Sequence, residues 1–134
     1  MQHILGISRT QVSFGTFEDG IGTDNSVGFI DAFSSKLDLS KIGFTVSILK
    51  KEGGPIFESS VFVRIYFYGY LNGIRSRRKL EKECARNIEM RWLLHGMTPN
   101  YHSISDFRKD NSSALKKLFK LFKERFVLYF MDLL

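Results

Sequence analysis

The sequence predicts a mainly α protein, a small multi-helix domain that contains a helix-turn-helix-like pair and begins with an irregular N-terminal segment. Apolar residues recur at helical spacing along residues 61–72 and 115–130. Serine and asparagine stand just before several such stretches, where their side chains can cap the first turn of a helix. At 134 residues, the chain has the usual length of one domain and can bury enough surface for a single core.

The first part of the chain is predicted to be irregular and then helical. Glycine and aspartate punctuate residues 1–24, and one short strand is predicted there at Gln11–Phe14. The first helix is predicted to begin at an Asn25 or Ser26 cap. It continues with apolar residues at near-helical spacing as far as Leu37.

The middle of the chain is predicted to contain a loop and then a buried helix. Gly43 is predicted to end the first helical unit. Residues 50–58 contain Gly–Gly–Pro, which continues neither a helix nor a central strand. After a Ser59 or Ser60 cap, residues 61–72 are apolar nearly all round, as expected of a central buried helix. Their β-branched and aromatic content also allows a strand, although the length and caps favour a helix.

Three short helices are predicted next. One covers residues 76–86, with Leu80 and Cys84 on its inward face. Its predicted cap is Ser76. The second covers residues 88–95 after an Asn87 cap, and the third starts at a Ser103 cap.

The last predicted helix is basic and amphipathic. It starts near Ser112 and runs to the end of the chain. Its apolar stripe consists of Leu115, Leu118, Phe119, Phe122, Phe126 and Phe130. Such a helix packs onto its own domain, lies on an anionic membrane or fills a partner's groove. An apolar face left uncovered would favour a homodimer.

The charge is distributed unevenly along the chain. Residues 1–60 carry five basic and seven acidic side chains, a balance of −2, whereas residues 61–134 carry fifteen and seven, a balance of +8. Clustered basic groups gain free energy on a polyanion by releasing its counterions. The second half is therefore predicted to contact nucleic acid, and a solvated basic face is the alternative.

The densest basic cluster is predicted to contact the DNA backbone. Its members are Arg75, Arg77, Arg78, Lys79, Lys82, Arg86 and Arg91. If residues 76–86 are helical, Arg75, Lys79, Lys82 and Arg86 lie on one face, with Arg78 beside Lys82 and Arg86. Facing DNA, this stripe would contact phosphates, which position a protein without specifying sequence. About five such contacts would give a log–log salt slope of about −4 to −5. A salt-bridged exposed helix is the alternative interpretation.

Residues 87–111 resemble a helix-turn-helix, in which the second helix enters the major groove by its N-terminal end. The base-reading candidates are Tyr101, His102, Ser103, Ser105, Arg108 and Lys109. Arg108 is the first choice for bidentate contact with a guanine edge, and Tyr101 for stacking or phosphate contact. A helix–loop–helix packing corner fits the same pattern, because the turn is longer than usual.

Enzyme and cofactor signatures are missing from the sequence. It has neither a GxxxxGK[ST] phosphate loop nor a GxSxG elbow. His3, His95 and His102 have no carboxylate or thiol at ligand spacing, and Cys84 alone cannot complete a zinc site. No catalytic residue, metal or cofactor is therefore predicted. A single cysteine favours a reducing cytoplasm, and no run is apolar enough for a membrane span or a signal peptide.

The segment YGYLNGIRSRRKLEKECARNIEMRWLLHGMTPNYHSISDFRKDN resembles the N-terminal helical domain of bacterial insertion-sequence transposases of the DDE class. The likeness is most specific over residues 66–111 and extends loosely from about Phe14 to about Phe122. It implies a domain that binds double-stranded DNA at the terminal inverted repeats of a mobile element, at the bacterial nucleoid. In that family a ribonuclease-H-like domain with an Asp–Asp–Glu metal triad follows.

The chain departs from the family pattern at three places. It has Ser26–Val27–Gly28 where relatives tend to carry Pro-Val-Arg, and Gly53–Gly54–Pro55 where Gly-Arg-Pro is usual. It ends at Leu134, before the strand that would present the first catalytic aspartate, and Asp132 does not match that position. The resemblance therefore implies a truncated transposase without catalysis of its own.

The expected domain organisation has three parts. Residues 1–24 form an irregular segment, residues 25–111 a transposase-like helical domain, and residues 112–134 a basic helix that begins a linker. The leading hypothesis is a DNA-binding module of an insertion-sequence transposase. The alternative is a helical protein-interaction or self-association module that acts through its C-terminal helix.

Overall fold

The computed structural model describes residues 6, 8–12, 14–22, 25–43 and 57–133. The described residues are mainly helical, and none of them lies in a strand, which confirms the predicted fold class. The helices are α1 (Ser26–Ser35), α2 (Leu39–Ile42), α3 (Ser59–Asn72), α4 (Arg77–Arg86), α5 (Ile88–Leu93), α6 (Tyr101–Asp110) and α7 (Ser112–Leu133). A short 3-10 turn, Glu18–Gly20, precedes them.

Helix α3 is the central element of the core. All residues from 61 to 69 are buried, as expected of a helix that is apolar on every side. Gly73 ends α3 in the left-handed conformation, with φ of 69°, which glycine adopts without steric cost. The helix prediction for this segment is confirmed, and the strand alternative is wrong.

Aromatic side chains join α3 to α1 and α7. The Phe67 and Phe122 rings stack with their centroids 4.1 Å apart and their planes 6° from parallel. Phe33 of α1 and Phe119 of α7 meet Phe67 edge-on, at 5.6 and 5.4 Å. These offset and edge-to-face contacts add to the burial free energy of the rings.

Three of the predicted helix caps are present. Asn25 accepts a hydrogen bond from the Val27 amide at the start of α1. Ser76 caps α4 and Asn87 caps α5 in the same way. The helix ends were predicted less accurately than the caps. Helix α1 ends at Ser35 and α5 at Leu93, each two residues before the predicted end.

Two of the predicted caps are wrong. Helix α3 begins at Ser59 and its cap position is Glu58, so neither Ser59 nor Ser60 is the cap. The predicted Ser103 cap is also wrong. Helix α6 begins two residues earlier, and Asn100 is its cap: the Asn100 Oδ1 accepts from the Ser103 amide at 2.9 Å. Asparagine caps a helix as well as serine does. Ser103 therefore lies inside the first turn, where it is 4% exposed.

Two predictions fall partly outside the described residues. Of the strand predicted at 11–14, Gln11, Val12 and Phe14 are irregular and Ser13 is not described, so the strand prediction is wrong for the described part. Of the predicted loop, residues 50–56 are not described. The departure from the family at residues 53–55 also lies there.

Helix α7 is buried most deeply along its first half, although Phe126 and Tyr129 farther along still pack against Phe29 of α1. Leu115, Leu118 and Phe122 are buried in the shared core, which confirms that this half packs on its own domain. Its last turns expose apolar side chains, namely Val127 (56%), Leu128 (57%), Phe130 (54%) and Met131 (61%). Among the described helices, α7 included, none combines the length and apolarity that crossing a bilayer requires.

Candidate nucleic-acid interface

The seven side chains predicted to contact the DNA backbone are all exposed. Arg78, Lys82 and Arg86 follow one another at a spacing of i, i+4, so these three lie along one face of α4. Leu80 and Cys84, on the opposite face, are buried. Burial raises the pKa of the Cys84 thiol to about 12, as expected for an inert core cysteine. Helix α4 therefore separates a basic outer face from an apolar inner one.

Glu83, within the same basic segment, is turned inward. Its side chain is 11% exposed and accepts hydrogen bonds from Asn87 at 2.7 Å and from Arg86 at 2.9 Å. These two bonds hold the pKa of the Glu83 carboxyl below its ordinary value. Among the ion pairs found within the described residues, Arg86 is the only one of the seven cations that takes part.

Glu89 is also engaged inside the fold. Its carboxylate accepts from Asn25 Nδ2 at 2.6 Å and from the Tyr68 hydroxyl at 2.9 Å. Burial and this carboxylate together raise the pKa of Tyr68 far above its ordinary value. The acidic residues of the basic segment therefore hold helices together and leave the outer face of α4 to cations.

Helix α6 is held against α4 by contacts at its first residue. The Tyr101 amide donates to Glu81 Oε2 at 2.8 Å, so Glu81 satisfies an amide that the first turn leaves without an intrahelical partner. The Arg78 guanidinium carbon lies 4.4 Å from the centroid of the Tyr101 ring, and Arg78 Nη2 donates to the Tyr101 hydroxyl at 3.2 Å. The basic face of α4 is therefore continuous with the N-terminus of α6.

The base-reading candidates on α6 lie in four different environments, of which the one beside α7 belongs to Arg108. His102, Ser105 and Lys109 follow helical spacing on the face opposite the buried Ile104 and Phe107. Tyr101 is occupied at the junction with α4. Ser103 is buried, so its hydroxyl does not belong to an exposed recognition surface, contrary to the prediction.

Arg108 lies beside α7, in a groove that the sequence did not reveal. The groove has a volume of about 790 Å³ and lies among α3, α4, α6 and α7. It is lined by Tyr66, Tyr70, Ile74, Arg75, Leu80, Arg108, Ser112, Leu115, Lys116, Phe119, Lys120, Lys123 and Glu124. We call it the α3–α7 groove. Its sides come from segments that are distant in sequence. The sequence therefore predicted the basic face of α7 but not the groove beside it.

Arg91 and the predicted helix-turn-helix pair complete the basic surface. The guanidinium carbon of Arg91 lies 5.7 Å from the centroid of the Phe17 ring. Both members of the predicted pair, α5 and α6, pack against α4.

Across the described part of the chain, no three His, Cys, Asp or Glu side chains are grouped as metal ligands. The geometry is that of a basic surface with polar side chains presented from a short helix.

A family model described as Transposase domain (DUF772) matches residues 16–110. The match covers more than two thirds of the chain, from the turn before α1 to the last residue of α6. No curated protein and no solved structure matches the chain. The resemblance to the N-terminal region of transposases is confirmed. The chain belongs to the transposase domain family DUF772.

Proposed function

We propose that this transposase-family domain binds double-stranded DNA at the terminal inverted repeats of a mobile element. The observation that carries the proposal is the basic outer face of α4, which continues into the N-terminus of α6 through the contact of Arg78 with Tyr101. Binding, rather than strand cleavage, is the activity that we assign to these residues.

The two helices have different roles in this proposal. Arg78, Lys82 and Arg86 contact phosphates and fix the orientation of the domain on the duplex. Helix α6 enters the major groove, where His102 and Lys109 face base edges that carry a distinct pattern of donors and acceptors. Asp106 is exposed near these two side chains. Its carboxylate would repel phosphates and would accept hydrogen bonds from the amino groups of bases.

Removing two cations from α4 is expected to weaken binding to every duplex by a similar factor. In the Arg78→Ala, Lys82→Ala double variant, the slope of log affinity against log salt concentration falls by about 1.8, since each phosphate contact contributes about 0.9. Fluorescence anisotropy titrations of the element ends and of a scrambled duplex, at several salt concentrations, measure both quantities. Lys41→Ala is the matched control, because Lys41 lies on α2, which packs against α7.

The proposal has two separable parts. A wild-type protein that binds element ends and scrambled duplex equally would contradict recognition of the terminal repeats. A double variant with the wild-type salt slope would contradict the assignment of the α4 face to phosphates. An unchanged slope in Lys41→Ala, with a reduced one in the double variant, is the expected pattern.

A second candidate function is self-association through the end of α7, supported by its exposed apolar side chains Val127, Leu128, Phe130 and Met131. Exposed apolar patches of this kind are typical of protein interfaces. Leu128→Asp is expected to shift the protein towards the monomer in sedimentation velocity experiments without changing duplex affinity per domain. A monomeric wild-type protein at high concentration would contradict this second candidate.

A further inference from the structure

The α3–α7 groove combines an aromatic floor with a cationic rim. Tyr66 and Tyr70 of α3 and Phe119 of α7 supply the aromatic surface. The Tyr66 hydroxyl donates to the Ile104 carbonyl, which fixes that ring against α6. The volume of about 790 Å³ lies within the range of small-molecule sites, about 300–1,000 Å³.

The rim of the groove is strongly positive. Among the described residues that line it, the cations are Arg75, Arg108, Lys116, Lys120 and Lys123, and the carboxylate is that of Glu124. Among the ion pairs found within the described residues, none involves any of these five cations. The rim therefore favours an anionic occupant.

Tyr70 has the environment of a stacking surface. It is an aromatic side chain that remains 48% exposed, although Phe119 packs against it with ring centroids 5.5 Å apart. Lys123 Nζ lies over one face of the Tyr70 ring, 5.3 Å from its centroid. A planar group that stacks on the ring therefore uses the opposite face or displaces this ammonium to the ring edge, and in either position the ammonium is close enough to contact a phosphate attached to the group.

We propose that the α3–α7 groove binds an unpaired nucleotide of the DNA, with its base stacked on Tyr70 and its phosphates held by the lysines of α7. Stacking on exposed aromatic rings beside cations is how proteins bind unpaired nucleotides without sequence preference. A free phosphate would leave the aromatic floor unused, and an apolar peptide would leave five cations unpaired. The inference rests on the proposed function. It means that the domain binds DNA in two conformations, a paired duplex on α4 and α6 and an unpaired nucleotide in the groove.

The position of the groove suits this role. Arg108 comes from α6, which we place in the major groove, and Arg75 directly precedes the cap of α4. The groove therefore shares cations with the two helices that form the duplex-binding face. A nucleotide displaced from the bound duplex would therefore pass positively charged side chains on its way from the duplex-binding face to the α3–α7 groove.

The experiment compares a paired duplex with the same duplex carrying one bulged nucleotide. We expect the bulged duplex to bind about tenfold more tightly, because stacking on an aromatic side chain contributes about 1–3 kcal/mol per base. Tyr70→Ala should abolish this preference and leave the affinity for paired duplex unchanged. Tyr70→Phe, which keeps the ring, should retain the preference. Glu124→Gln should strengthen binding of the bulged duplex, since it removes a carboxylate from the rim.

A photo-cross-link provides a readout independent of affinity. With 5-iododeoxyuridine at the bulge, the wild-type protein should cross-link through Tyr70 or Phe119, as identified by peptide mapping. Equal affinity for both DNAs, or a bulge preference that survives in Tyr70→Ala, would overturn the inference while leaving duplex binding intact. If the protein binds neither DNA, the proposed function fails, and this inference fails with it.

Discussion

Replacing Phe67 by alanine is expected to lower the free energy of unfolding by about 3–5 kcal/mol, the usual cost of deleting a buried phenylalanine ring. Phe67 is fully buried and contacts Phe33, Phe119 and Phe122, so its ring holds α1 and α7 against α3. The loss includes the transfer free energy of the ring and the cost of the cavity that it leaves. For a domain whose total stability is about 5–15 kcal/mol, this is a large fraction.

Urea denaturation followed by circular dichroism measures the change. The midpoint of unfolding should fall strongly, while the dependence of the free energy on urea concentration stays the same. Phe130→Ala is the matched control: it removes the same side chain, but Phe130 lies on α7 and is 54% exposed, so its removal should cost no more than about 0.5 kcal/mol. Similar effects of the two substitutions would contradict the placement of Phe67 at the centre of the core.

The loss of Phe67 also has a functional consequence. The α3–α7 groove is lined by residues of both α3 and α7, and Phe119 contributes to both the groove and the aromatic core. A domain that loosens at Phe67 would therefore lose the groove before it loses the basic face of α4. In Phe67→Ala at low temperature, bulged and paired duplexes should bind alike.

Most of the fold follows from local sequence signals. The segment that forms α3 is apolar on every side, which for its length indicates a buried helix. The caps Asn25, Ser76 and Asn87 act within three residues of the positions that they stabilise. Signals of this range are readable without knowing the rest of the structure. Where two cap residues compete, as Asn100 and Ser103 do, the choice depends on packing, and there the sequence prediction was wrong.

The candidate site was only partly predictable. Helical spacing alone places Arg78, Lys82 and Arg86 on one face. The hydrogen bond from the Tyr101 amide to Glu81 joins residues 20 apart in the sequence, and no local sequence pattern predicts such a contact. Arg108 shows the same limitation, because its position beside the lysines of α7 depends on how α6 and α7 pack.

A buried arginine ties three helices together beneath the site. The Arg64 guanidinium of α3 pairs with Asp31 of α1, and it also donates to Ser35 Oγ at 2.9 Å and to the Leu93 carbonyl of α5 at 3.4 Å. Its side chain is 11% exposed, whereas the side chain of Asp31 is 36% exposed. The pair is therefore asymmetric, since water reaches the carboxylate more easily than the guanidinium.

Because of this asymmetry, Asp31→Ala is expected to cost more than Arg64→Met. Removing the carboxylate leaves a buried guanidinium without its counter-charge, at a cost of about 3 kcal/mol. Removing the arginine leaves a carboxylate that water hydrates, and methionine refills part of the volume, so about 1–2 kcal/mol is expected. The double variant should be more stable than Asp31→Ala alone, because the unpaired buried charge is gone.

Thermal and urea unfolding of the four proteins complete a double-mutant cycle that measures this coupling. Lys41→Ala is the control, because Lys41 is 83% exposed and faces Asp38 at 3.9 Å, a pair of small energetic value. Equal costs for Asp31→Ala and Arg64→Met would show that solvent reaches both charges alike. If the basic face of α4 binds duplex as proposed, the Asp31→Ala variant should also bind duplex less tightly near its melting temperature, because α5, which Arg64 contacts, packs on α4.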